Sequence, residues 1–151
     1  MMNKPPLAEK APMSNAKLTN LIADNFLVYF KAHTYHLNVI GPNFDQYHGL
    51  FKEAYDLLWE WHDGLSEQLR MGGDMFKLTL MDICKTADIK DNAPGASVQA
   101  MFQSLSTDLD ELLIEAESLY ASSPPALETV LGDYCAAITK MKWKISATLG
   151  K

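Results

Sequence analysis

Four long stretches of this chain repeat their apolar residues at steps of three and four, and no stretch of useful length alternates apolar with polar. A period near 3.6 gives a helix with one apolar stripe, whereas a period of about two gives a strand. The chain must therefore bury several helical stripes against one another, and a sheet is excluded. The first stripe, over about 14–39, is Leu18, Leu21, Ile22, Phe26, Tyr29 and Ala32, and His33 and His36 continue it. Gly41-Pro42 stops that helix, since glycine permits a left-handed exit and proline cannot extend the ladder. Asn43 is the N-cap expected for the next helix.

The second stretch, 44–71, carries Tyr47, Leu50, Phe51, Ala54, Leu58, Trp61, Leu65 and Leu69, and Gly72-Gly73 ends it. Residues 75–86 read as a small helix with Leu78, Ile83 and Leu80 apolar, and the polar stretch 88–97 follows, with Pro94 and Gly95. The third stretch, 97–121, holds Val98, Met101, Phe102, Leu105, Leu109, Leu112, Leu113, Ala116 and Leu119. Ser123-Pro124 signals the fourth start as cap and first-turn proline, and Leu127, Val130, Leu131, Tyr134, Ile138, Met141 and Ile145 point inward from there to about 148. Helices of about 25 residues are about 37 Å long. Tight turns make the first and last pairs antiparallel, and the long middle link can cross the whole length. The expectation is an all-α, ferritin-like four-helix bundle, with a short extra helix in the crossover between helices two and three.

Apolar residues make up 48% of the chain and charged residues 21%, values ordinary for a globular domain. No run approaches the ~18 apolar residues of a membrane span. The start, MMNKPPLAEKAPMSNAK, has no apolar core of a secretory signal. The reading is a cytoplasmic protein with a flexible tail at 1–14 and one domain at 15–151. A net charge of −6 disfavours a general polyanion binder, because duplex DNA is held mainly through its phosphates; it suits cations and metal ions. Cys84 and Cys135 form no CxxC pair and read as free, buried thiols.

The Glu-x-x-His pair that builds a di-iron centre inside one bundle is absent, and Glu60 and His62 are two apart. There is no haem signature, phosphate loop or Ser-His-Asp set. Three histidines, His33, His36 and His48, cluster around one turn. On the second helix Asp63 and Glu67 stand at i, i+4, side by side, on the side opposite the core stripe. Trp59 and Tyr55 flank that outward side, which points to a contact with another subunit. From periodicity alone, a solvated acidic face and half-buried structural histidines remain the competing account.

The run Tyr35-His36-Leu37-Asn38-Val39, then Gly41-Pro42-Asn43-Phe44 and Tyr47-His48, followed by Asp63-x-x-x-Glu67 and Gly72-Gly73, resembles the Dps family, the mini-ferritins named as DNA-binding proteins from starved cells. The intervals of twelve, fifteen and four residues match that family's pattern. The likeness extends through 78–86 to Lys142-Trp143 and Ala147-Thr148-Leu149-Gly150. The resemblance implies a hollow homododecamer whose ferroxidase centres lie between two-fold-related subunits, with His36 and His48 from one chain and Asp63 and Glu67 from its neighbour as iron ligands. It implies a ferroxidase that oxidises Fe(II), with hydrogen peroxide as the preferred oxidant, stores Fe(III) and protects against oxidative damage. It also aligns the start of the fourth helix with the iron-entry pores, so that Glu128 and Asp133 would supply negative potential there; the competing account is a helix N-terminus that favours acids through its dipole.

Two positions depart from the family. Lys52 stands where a further acidic ligand is usual, and a protonated ammonium does not bind iron; pairing with Asp56 one turn on would restrain its charge. Leu37 stands where many members carry a Trp that shelters the centre and quenches radicals, with Tyr35, Tyr47 and Trp59 as nearby substitutes. Two alternatives stand beside the ferroxidase: a shell that coats DNA, which the tail's Lys4 and Lys10 support only weakly, and a structural cage whose centre has decayed.

Overall fold

Glycines end the helices where the backbone must turn left-handed. The computed structural model describes residues 15–91 and 97–151; the tail reading for 1–14 and part of the polar stretch 88–97 lie outside them. The helices are α1 (Asn15–Asn38), α2 (Phe44–Met71), α3 (Leu80–Thr86), α4 (Val98–Tyr120) and α5 (Pro125–Thr148), with no strand among the described residues. At the end of α2, Gly73 takes φ +98, and the Gly73 and Asp74 amides reach back to the carbonyls of Arg70 and Leu69. This pattern satisfies carbonyls that the helix end would otherwise orphan. Thr79 and Asp82 cap α3 reciprocally, and the Ser97 hydroxyl accepts from the Ala100 amide at the start of α4.

Cross-helix bonds set the directions. Asn25 on α1 meets Leu58 on α2, Tyr35 meets Ser104 on α4, and Lys144 on α5 meets Glu53 on α2. With the Lys142–Asp110 pair between α5 and α4, these bonds make every neighbouring pair antiparallel. The link from α2 to α4 therefore runs the length of the bundle beside α1. It is tied there by Asn15 to Asp74, by the Ile89 amide to Asp24 Oδ1 at 2.7 Å, and by Lys31 Nζ to the Lys90 carbonyl at 3.2 Å. The expected topology, small helix included, is the one observed.

The core joins all four long helices. Leu21, Ile22, Phe51, Leu65, Leu105, Leu109, Leu131, Ile138 and Ile145 are fully buried, and Phe51 stacks on Phe102 at 4.1 Å. The structure corrects several details of the sequence reading. α1 is enclosed by α2, α3 and α4, so it is buried nearly all round, including Asp24, Asn25 and Lys31; a single stripe describes it poorly. Leu80 is exposed and Ile83 alone anchors α3. Pro124 occupies the N-cap and Pro125 the first turn of α5. Ser123 is buried one residue earlier, donating to the Leu119 carbonyl. Cys84 is exposed rather than buried, and Cys135 is half-buried.

Candidate metal centre

The turn between α1 and α2 brings His36 and His48 together. Gly41 turns the chain with φ +111, its carbonyl accepts the Phe44 amide at 3.1 Å, and α2 returns along α1. Asn43 takes the N-cap position but makes no capping bond; its amide donates to the Tyr47 hydroxyl instead. His36 on the last turn of α1 and His48 on the second turn of α2 stack with ring centroids 3.5 Å apart. Each ring bonds the other residue's backbone: His36 Nδ1–H to the His48 carbonyl at 2.8 Å, and His48 Nδ1–H to the His36 carbonyl at 2.7 Å. A carbonyl only accepts, so both Nδ1 atoms carry a proton, and in the neutral ring the free lone pair is on Nε2. Such a backbone lock on the far nitrogen is what orients imidazoles that bind metals. Phe44 stacks on the outer side of His48 at 4.7 Å, and Tyr55 meets His36 edge-on at 5.1 Å.

Asp63 and Glu67 are both exposed, on the side of α2 away from its buried stripe of Phe51, Ala54, Leu58, Leu65 and Leu69. Fifteen helical residues separate Asp63 from His48, about 22 Å along the axis. One chain therefore cannot close the carboxylates on its own histidines, and among the described residues no three His, Cys, Asp or Glu side chains converge to hold a metal ion. Trp59, one turn before Asp63, lies on the same outward face, 54% exposed. Tyr55 does not: it is half-buried in the α1–α2 groove, stacked on His33 at 4.4 Å.

Lys52 holds Asp56 at 2.5 Å, as its spacing suggested. That hydrogen bond raises the Lys52 pKa and keeps it a cation. Glu53 turns away to pair with Lys144 of α5. Leu37 is 68% exposed. Tyr35 is buried and donates to Ser104, and Tyr47 packs on Phe102, so neither replaces an aromatic at the histidines. Phe44 and Tyr55 are the rings that lie there; Tyr55 stands about two turns after His48 on the same helix, and that spacing was its only signal. His62 is half-buried against Phe26 with Nδ1 lacking a partner, and burial lowers its pKa; it packs rather than ligates. Glu128 sits in the first turn of α5 and Asp133 is exposed. Five residues turn a helix by about 140° beyond one revolution, so the two do not share a stripe.

The ferritin-like domain family matches residues 15–151. The DNA protection during starvation protein of Brevibacillus brevis is 29% identical over 136 residues, 87% of this chain and 91% of that protein. The crystal structure of a Dps protein from Bacillus brevis superposes with a TM-score of 0.83 at 29% identity, covering 89% of this chain and 94% of that one. This chain belongs to the ferritin-like family, as a Dps protein. Antigen TpF1 of Treponema pallidum shares the Dps fold over 99% of this chain and all of its own, with a TM-score of 0.89 at 20% identity. Among the described residues, no helix of this Dps protein is long and apolar enough to cross a membrane.

Proposed function

We propose that this Dps protein is an iron-sequestering ferroxidase, working as a hollow homo-oligomeric shell, a dodecamer by its family. Fe(II), the substrate, binds between His36 and His48 of one subunit and Asp63 and Glu67 of its two-fold neighbour. The observation that carries the reading is the reciprocal backbone lock on His36 and His48, which presents two Nε2 lone pairs side by side. Imidazole suits Fe(II), and carboxylate suits the more highly charged Fe(III). Two Fe(II) supply two electrons, which reduce hydrogen peroxide to water without releasing hydroxyl radical, and Fe(III) is stored inside. Asp133 and Glu128 are assigned to the entry route, where negative potential draws in cations. Family membership supports iron handling in general; the peroxide preference and the ligand set are this proposal's own.

An anaerobic Fe(II) titration followed by peroxide, with native mass measurement of the assembly, tests it. Wild type oxidises iron rapidly as a shell, and His36→Ala and Asp63→Ala are markedly slower. Equal rates in all three point instead to an inactive cage, with the Lys52 cation as its cause. A DNA-coating role gains no support from a chain of net charge −6.

A further inference from the structure

Between His36 and the stripe that carries Asp63 runs an unbroken series of aromatic rings. His36 meets Tyr55 at 5.1 Å, Tyr55 meets Tyr29 at 6.4 Å, and Tyr29 meets Trp59 at 5.2 Å. Trp59, Asp63 and Glu67 then follow at i, i+4 and i+8 on one outward face of α2. On the shared-centre reading above, on which this inference rests, His36 belongs to one centre of a two-fold pair and Asp63 to the other. The rings therefore span the distance between two centres inside one protomer. We propose that Tyr55, Tyr29 and Trp59 relay electrons between the two centres of a two-fold pair, so that one iron in each can jointly reduce one peroxide.

The need arises at Lys52. With an ammonium held by Asp56 in place of a further acid, each centre has side-chain ligands for one iron. A lone Fe(II) gives one electron, whereas peroxide needs two to end as water. Electron transfer slows steeply with distance, so a single step over about 22 Å is ineffective, while steps between adjacent rings are fast. Tyrosine and tryptophan are the side chains whose rings yield an electron most readily.

At the occupied centre the O–O bond of peroxide breaks as two electrons arrive, one from Fe(II) and one from the ring series. Two protons from solvent complete two waters. The electron vacancy settles on Tyr29, whose hydroxyl lies 3.4 Å from His33 Nδ1, so its proton passes to His33 and leaves a neutral phenoxyl radical. Fe(II) at the second centre then returns an electron through Trp59, and Tyr29 recovers its proton. The sum is two Fe(II) and one peroxide, with two protons, giving two Fe(III) and two waters.

The test is freeze-quench EPR on intact shells loaded anaerobically with one Fe(II) per two-fold pair or one per centre, then mixed with one peroxide per pair. Half-loaded wild type shows an organic radical, and full loading abolishes it. In Trp59→Phe the radical persists at full loading. In Tyr29→Phe it is lost and a spin trap captures hydroxyl radical. Trp143→Phe, an exposed ring outside the series, behaves as wild type. Unaltered Co(II) binding by each variant shows that the site is intact. Normal iron oxidation with a radical independent of loading, or with Trp59→Phe indistinguishable from wild type, overturns the relay alone. No iron oxidation in wild type at either loading overturns the ferroxidase reading itself.

Discussion

Glu115 on α4 is half-buried beside the wholly buried Asp24 of α1. Asp24 Oδ1 accepts the Ile89 amide, and its Oδ2 has only the Glu115 carboxyl to bond. Two carboxylates bond only if one holds a proton. Burial first, then Asp24, Asp88 and Glu111, push the Glu115 pKa from 4.5 to about 8. A group whose pKa is raised by folding stabilises the fold fully below its unfolded value and loses that contribution as pH rises through the folded value. Thermal unfolding temperature therefore falls as pH rises from about 5 to about 8, and Glu115→Gln flattens the slope; an unchanged slope would assign the titration elsewhere. Close by, Lys31 pairs with Asp108 at 2.6 Å, both almost fully buried. Desolvation raises the Asp108 pKa against the pull of Lys31. Lys31→Ala strands that carboxyl and costs about 3–5 kcal/mol in urea unfolding, and apolar replacement of both partners restores most of it. None of this polar layer was legible in the sequence, because an apolar pattern is silent on charged residues that are buried only when paired.

At the scale of the helix, the ends of α2 were legible to the residue, because Gly41-Pro42 and Gly72-Gly73 leave the chain little choice. The start of α5 was misplaced by one residue, since either of two consecutive prolines can open a helix and only the burial of Ser123 decides between them. The histidine pair was legible as a cluster around a turn; its stacking and its backbone locks were not, as they depend on how α1 and α2 are rotated about their axes. Gly41 fixes that rotation at φ +111 with open space around its Cα. Gly41→Ala meets no clash, but the strained backbone costs about 1–2 kcal/mol. Its thermal midpoint falls, and Co(II) titration shows weaker binding as His36 and His48 lose their register. Unchanged Co(II) affinity would show that the turn does not set the pair.

For the whole molecule, the central claim is that each iron centre takes nitrogens from one chain and oxygens from its twin. The most direct measurement is complementation. His36→Ala and Asp63→Ala subunits are purified separately, then unfolded together and reassembled. A two-fold pair with one subunit of each kind has one centre with both lesions and one with none. With ligands shared in this way, both parents bind Co(II) weakly and the mixed shells regain tight sites in proportion to their content of mixed pairs, one intact centre in each. Mixed shells that bind Co(II) no more tightly than their parents would contradict a centre built from His36 and His48 of one chain and Asp63 and Glu67 of its twin.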